Sequence, residues 1–317
     1  MRRGPRWMIT AAVIAVVVGS TSASATGDIS PMSSRVPSQS DVAYAGDTDT
    51  AHRLDLYLPQ ATSGPFPLVV FVHGGAWSFG DKAMPVNTSY GTLRKVLAER
   101  GYAVASVRYR FVSRDPFPAQ LHDVKAAIRF LRIHANRWGL DEKRFAVAGD
   151  SAGGQLALMA GLTGGGAGGD SLEGRVGAVE ASSAVRAVVA YYPVTDLVRL
   201  FTDRTSAGCP VIARGPRSAE GRLVGGDPEA ESMREAALNA SPLSHAGQTR
   251  TPVLLMHGTT DCVVPQSQSR RMYAALRGSG TPVEMRLAPG GHSAPVFYRD
   301  PAMQGQVLDF LDRHLQH

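Results

Sequence analysis

From His52 onward, hydrophobic and polar positions alternate between two periods. Arg53–Pro59 (RLDLYLP) switches apolar and polar residue by residue, the pattern of a half-buried strand. Pro67–Gly75 (PLVVFVHGG) and Tyr102–Arg110 (YAVASVRYR) are continuous apolar runs, as in strands covered on both faces. Residues 118–139 then place Leu121, Val124, Ala127, Ile128 and Leu131 at helical spacing, with Pro118 at the start and Gly139 after the end. Further strands are predicted over Arg144–Gly149, Val185–Val194, Pro252–Gly258 and Val283–Pro289, with helices over Pro265–Leu276 and about 304–315. This alternation predicts an α/β fold, with a mostly parallel central sheet and helices on both faces. Such sheets bind ligands beyond the carboxyl ends of their strands.

Three segments depart from the pattern. Gly164–Asp170 (GGGAGGD) has no Lys-Ser/Thr after it to make a phosphate loop, and reads as a loop after a helix. Leu197–Gly247 is irregular, with four prolines, and is expected to form a cap-like insertion that shapes a pocket. At the N-terminus, Arg2, Arg3 and Arg6 precede the apolar run Met8–Gly19 and the small residues Ala23–Ala25, the layout of a secretory signal. The run falls short of the ~20 residues that span a bilayer, so cleavage near Ala25 is expected rather than a stable membrane anchor. The expected organisation is a signal peptide over 1–25, a flexible polar leader over 26–51 and one α/β domain over 52–317.

Composition narrows the functional classes. The 317 residues are 44% hydrophobic and 19% charged, as in a globular domain with a substantial core. Net charge is +6, and loss of Arg2, Arg3 and Arg6 leaves 6 − 3 = +3. The remaining basic residues are scattered, which gives nucleic-acid binding no support. Asp47–Thr50 lacks the rest of a calcium loop, and no cysteine or histidine spacing suggests zinc, so neither metal nor cofactor is expected. The two cysteines, Cys209 and Cys262, are expected to pair in an exported protein.

The chemistry centres on Val147–Leu158 (VAGDSAGGQLAL). Gly149-Asp150-Ser151-Ala152-Gly153 fits G-x-S-x-G between a strand and a helix. A sharp turn there crowds the neighbouring positions, so Gly149 and Gly153 must be small. Ser151 is held out of the sheet at a helix N-terminus, beside the free amide of Ala152. A serine hydroxyl needs a base to become a nucleophile. Of nine histidines, His292 lies in a glycine-flanked loop just after the last predicted strand, where it can reach the strand ends. His257 ends a strand and has a structural role open to it. The base needs an acid to fix its tautomer. Asp261 stands in the loop after Pro252–Gly258, and Asp196, after the preceding strand, is its rival. The adjacent glycines Gly74 and Gly75 end an early strand and can offer backbone amides to an oxyanion.

Taken in order, HGGAW, GDSAGG, HGTTDCVVP and GGH resemble the α/β-hydrolase superfamily. The fit is best with its HGG-type serine esterases, near the hormone-sensitive-lipase-like and the bacterial feruloyl and acetyl-xylan esterase-like enzymes. The resemblance runs from about Arg53 to the C-terminus. It implies Ser151 as nucleophile, Asp261 as acid, His292 as base, and Gly74, Gly75 and Ala152 as oxyanion donors. Where lipase-like esterases often read HGGG, this chain has Ala76. The implied function is a secreted carboxylesterase acting on short- to medium-chain esters, small or polymer-linked. The alternatives are an amide-cleaving relative (an arylformamidase or prolyl-type peptidase) and a non-catalytic binding protein on the same scaffold.

Overall fold

A computed structural model describes residues 37–60, 64–166, 170–210 and 213–316. The expected signal peptide lies outside the described residues. Eight strands form one sheet: β1 (Gln39–Ala43), β2 (Arg53–Tyr57), β3 (Phe66–Val72), β4 (Ala103–Val107), β5 (Leu140–Asp150), β6 (Ala187–Tyr191), β7 (Val253–Gly258) and β8 (Val283–Ala288). Their order is β1-β2-β4-β3-β5-β6-β7-β8. The six strands from β4 to β8 pair in parallel, while β2 runs antiparallel to both β4 and β1.

Each central strand is apolar on both faces because helices cover both. Leu68, Val70 and Val72 of β3 point to one core, together with residues of α2 (Ala119–Ile133), α3 (Ala152–Leu162) and α8 (Ser267–Gly278). Val69 and Phe71 point to the other, formed with α1 (Ser89–Glu99), α9 (Val296–Arg299) and α10 (Pro301–Leu315). The order reverses at β3 and β5: β4 lies to one side and β6, β7 and β8 to the other. That reversal opens the crevice in which sheets of this kind place their ligands.

Residues 197–247 carry α5 (Leu200–Ser206), α6 (Ala219–Val224) and α7 (Arg234–Asn239), after the short α4 (Asp170–Glu173). Leu200, Leu223 and Ala237 are buried in the first core. The flexible leader expected over 26–51 contains strand β1. Val42 and Tyr44 pack on the first core, Asp41 and Asp55 share Lys82, and Asp47 hydrogen-bonds His52. The segment is held largely by ion pairs and an edge-strand ladder, which leave little hydrophobic signal in the sequence.

Candidate active site

At the end of β5 the chain turns into α3 through Ser151, whose φ of 53° and ψ of −117° lie outside the comfortable regions for a side-chain-bearing residue. The glycines explain how the turn is possible. A Cβ on Gly149 would stand 2.3 Å from the Gly153 carbonyl oxygen, and one on Gly153 would stand 2.1 Å from that of Val72. Ser151 donates its own amide to the Tyr191 carbonyl at 2.9 Å, which ties the turn to β6.

The loop after β8 carries His292 across the sheet end. Its Nε2 lies 2.9 Å from Ser151 Oγ and its Nδ1 lies 2.7 Å from Asp261 Oδ2. The other carboxylate oxygen of Asp261 accepts the amides of Val263 and Val264, both at 2.9 Å. The acid is therefore fixed in orientation and presents Oδ2 to the imidazole. His257 does not approach Ser151. It is buried beneath the acid loop, its ring nitrogens on Ser269 Oγ and the Val264 carbonyl, both at 2.7 Å. Asp196 is engaged elsewhere, accepting the Arg199 amide at 3.2 Å and facing Arg271.

The loop after β3 has three consecutive residues at positive φ: Gly75 at 121°, Ala76 at 50° and Trp77 at 55°. Among the described residues the amides of Gly75, Ala76 and Ala152 have no hydrogen-bond acceptor, and Ala76 and Ala152 line one cavity with Ser151. Gly74, expected as a donor, is committed elsewhere: its amide donates to Asp150 Oδ1 at 2.8 Å. A buried carboxylate needs partners of its own, and Gly74 is one of them.

The BD-FAE family profile matches residues 54–276, about 70% of the chain. The chain belongs to the BD-FAE family. Its fold is the α/β-hydrolase fold expected from the sequence. Among curated relatives, esterase LipC of Mycobacterium tuberculosis is 32% identical over 72% of this chain and 53% of its own length. The probable carboxylic ester hydrolase LipM of the same organism is 30% identical, over 75% and 51%. The chain thus spans about half the length of these relatives. Among solved structures, a truncated carbohydrate esterase from gut microbiota is 27% identical with a TM-score of 0.79, covering 90% of this chain and 99% of its own. The bifunctional GH43-CE protein of Bacteroides eggerthii is 32% identical with a TM-score of 0.76, covering 87% and 35%.

Two buried titratable groups brace the site of this BD-FAE domain. Asp150 accepts from Tyr90 and Gly74 and is approached by the Tyr192 hydroxyl at 3.4 Å. Burial nevertheless raises its pKa to about 6. Tyr192 also sets its ring edge-on against His292, with centroids 4.7 Å apart. His73 stacks on Tyr109 at 4.6 Å and holds its Nδ1 2.7 Å from the Gly74 carbonyl oxygen. Burial lowers its pKa to about 4. These shifts act on stability in opposite directions. From pH 6.5 down to about 4, only the unfolded chain takes up the His73 proton, so stability falls on acidification. Between 3.8 and about 6, the unfolded chain releases the Asp150 proton first, so stability rises on acidification. Asp150→Asn removes only the second effect. Its Tm should therefore fall more steeply than that of the wild type between about pH 6.5 and 4; parallel curves would contradict this assignment.

Two cavities lie close by, one lined by Ser151 and the other by its chain neighbour Asp150. One of about 160 Å³ is bounded mainly by Ala76, Trp77, Ala152, Val194, Val263 and Val264. Trp77 both lines it and packs, its indole N–H on Gln155 at 3.0 Å. The second, about 320 Å³, is bounded by Tyr90, Asp150, Tyr192, Ser293 and Tyr298. Cys209, just after α5, is bonded to Cys262, the neighbour of Asp261. Arg204 Nε donates to the Val263 carbonyl at 2.7 Å, so two links fix the acid loop to the 197–247 segment. The bridge closes a sequence separation of 53 residues, a constraint of about 4 kcal/mol on the unfolded chain in the loop-entropy account. Among the described residues no helix is long and apolar enough to cross a membrane, and no group of three potential ligands forms a metal site.

Proposed function

We propose that the chain is an exported serine carboxylesterase, acting on short- to medium-chain esters through an acyl-enzyme at Ser151. The observation that carries this reading is the hydrogen-bonded series Ser151–His292–Asp261 beside three unpaired amides. Relatives named as esterases support the ester as the bond cleaved. The secretory-signal layout of residues 2–25 and the Cys209–Cys262 bridge support export to an oxidising compartment.

The steps follow from the geometry. Ser151 Oγ attacks the ester carbonyl carbon as His292 Nε2 takes its proton. The carbonyl electron pair moves onto oxygen, and the amides of Gly75, Ala76 and Ala152 are the donors available to it. Asp261 stabilises the imidazolium and keeps Nδ1–H turned towards itself. When the tetrahedral intermediate collapses, the imidazolium protonates the departing alcohol. Water then attacks the acyl-enzyme, giving its proton to His292, and that proton returns to Ser151 as the acid leaves. One ester and one water give one acid and one alcohol.

The acyl group, bonded to Ser151, takes the cavity that Ser151 lines with Ala76 and Ala152, while the departing oxygen lies near His292. At about 160 Å³, that cavity is close to the ~150 Å³ of an apolar cavity that holds benzene. In a p-nitrophenyl ester series, kcat/KM should rise from acetate to about hexanoate, because each buried CH₂ contributes ~0.8 kcal/mol. It should then fall at least about tenfold by decanoate as the cavity is exceeded. A steady rise through dodecanoate, or faster cleavage of the matching anilides, would contradict the reading.

A further inference from the structure

The cavity beside Ser151 contains a charged pair that ester hydrolysis itself does not use. Arg204 of α5 and Glu220 of α6 are 6% and 8% exposed, and Arg204 Nη2 donates to Glu220 Oε1 at 2.7 Å. Both line the cavity that holds Ser151 and Ala152. Both also line a narrow neighbouring depression, walled by Leu197 and Phe201, that contains neither Ser151 nor Ala152. The pair therefore stands as a partition between the two, at the boundary of the Ser151 cavity.

For packing alone such a pair is a poor choice. Desolvating two charges is costly, and apolar residues of similar volume often stabilise as well or better. The structure also leaves part of the pair unused. Arg204 Nε is taken by Val263 and Nη2 by Glu220, while Arg204 Nη1 and Glu220 Oε2 have no hydrogen bond among the described residues. Neither of those two atoms is fully buried, and both residues border the cavity. The remaining walls near Ser151, among them Trp77, Val194 and Val264, are apolar. A guanidinium held in place by its carboxylate partner, in a chamber whose other walls are mostly apolar, is suited to recognising a polar oxygen on a ligand.

We propose that Arg204, oriented by Glu220, is a specificity residue that selects esters whose acyl group carries a carbonyl or hydroxyl oxygen at the end of a short apolar stem. This rests on Ser151 being the nucleophile and names the acyl class that its cavity prefers.

The test compares carbon-matched pairs: p-nitrophenyl 4-oxopentanoate against pentanoate, and 5-oxohexanoate against hexanoate. The wild type should favour the oxo ester of at least one pair by about tenfold in kcat/KM, the discrimination that one hydrogen bond to a charged group supplies. In Arg204→Met/Glu220→Leu, which removes both charges together, the ratio should fall to about one or below. Arg204→Lys keeps the charge but loses the fork, and should give an intermediate ratio; it decides the matter if the double variant does not fold. A wild-type ratio of one in both pairs, or variants that slow both esters equally, would overturn the proposal while leaving the esterase reading intact. Turnover of none of these esters would overturn both.

Discussion

Ser151→Ala is expected to lower kcat for p-nitrophenyl butyrate on the order of a million-fold, with Tm and far-UV circular dichroism unchanged. The size of the effect follows from the site. Among the described residues Ser151 Oγ is the only group hydrogen-bonded to His292 Nε2, so its loss removes the nucleophile and leaves the base with nothing to deprotonate but water. The residual rate would come from the unpaired amides and from substrate binding. The fold should survive because the turn depends on Gly149 and Gly153, whose contacts the substitution leaves alone. Alanine occupies the same strained φ that Ala76 already tolerates nearby. A drop of only a few-fold, measured as initial rates with active-site titration, would mean that another residue performs the attack.

Asp261→Asn should lower kcat by about ten-thousand-fold and leave KM within a few-fold. The reason lies in how Asp261 is held. Its Oδ1 accepts two amides, from Val263 and Val264. An asparagine there keeps its carbonyl oxygen on those amides and turns its NH₂ towards His292 Nδ1. That nitrogen must then accept, so the ring proton moves to Nε2, facing Ser151, and the base becomes a donor. Asp196→Asn makes the contrasting control. Asp196 faces Arg199 and Arg271 rather than His292, so its loss should reduce stability and change kcat by less than about tenfold. Equal losses in the two variants would reverse the assignment of the acid.

The parts of the site that could be read in the sequence share one property. Each is set by local chain geometry at a strand end. Gly149 and Gly153 announce a turn that admits no side chain, the loop carrying Asp261 follows an apolar run that suits a buried strand, and the loop carrying His292 follows the alternating run of edge strand β8. The central strands from β3 to β7 were legible as apolar runs, and edge strand β8 by its alternation. What could not be read depends on groups converging from distant elements. Asp150 gathers Tyr90 from α1, Tyr192 from the end of β6 and Gly74 from the loop after β3. Its commitment to the Gly74 amide is why Gly74 is not an oxyanion donor. The available signal was an acidic residue inside an otherwise apolar, glycine-rich turn, which when buried must find donors. Helix α1 went unread although Tyr90, Leu93 and Leu97 face the second core, and strand β1 because its ladder and ion pairs leave little hydrophobic signal. The placement of α5 and α6 beside Ser151 is equally non-local, and with it that of Arg204 and Glu220 on the cavity wall.

Catalysis by this chain stands or falls on Ser151 as an activated nucleophile. The most direct measurement is intact-mass and peptide mapping after treatment with a fluorophosphonate at pH 8. The expected result is one adduct per chain, located on the peptide that contains Ser151, absent in Ser151→Ala and strongly slowed in His292→Gln. An adduct on another residue, or no adduct from a folded protein, would contradict it.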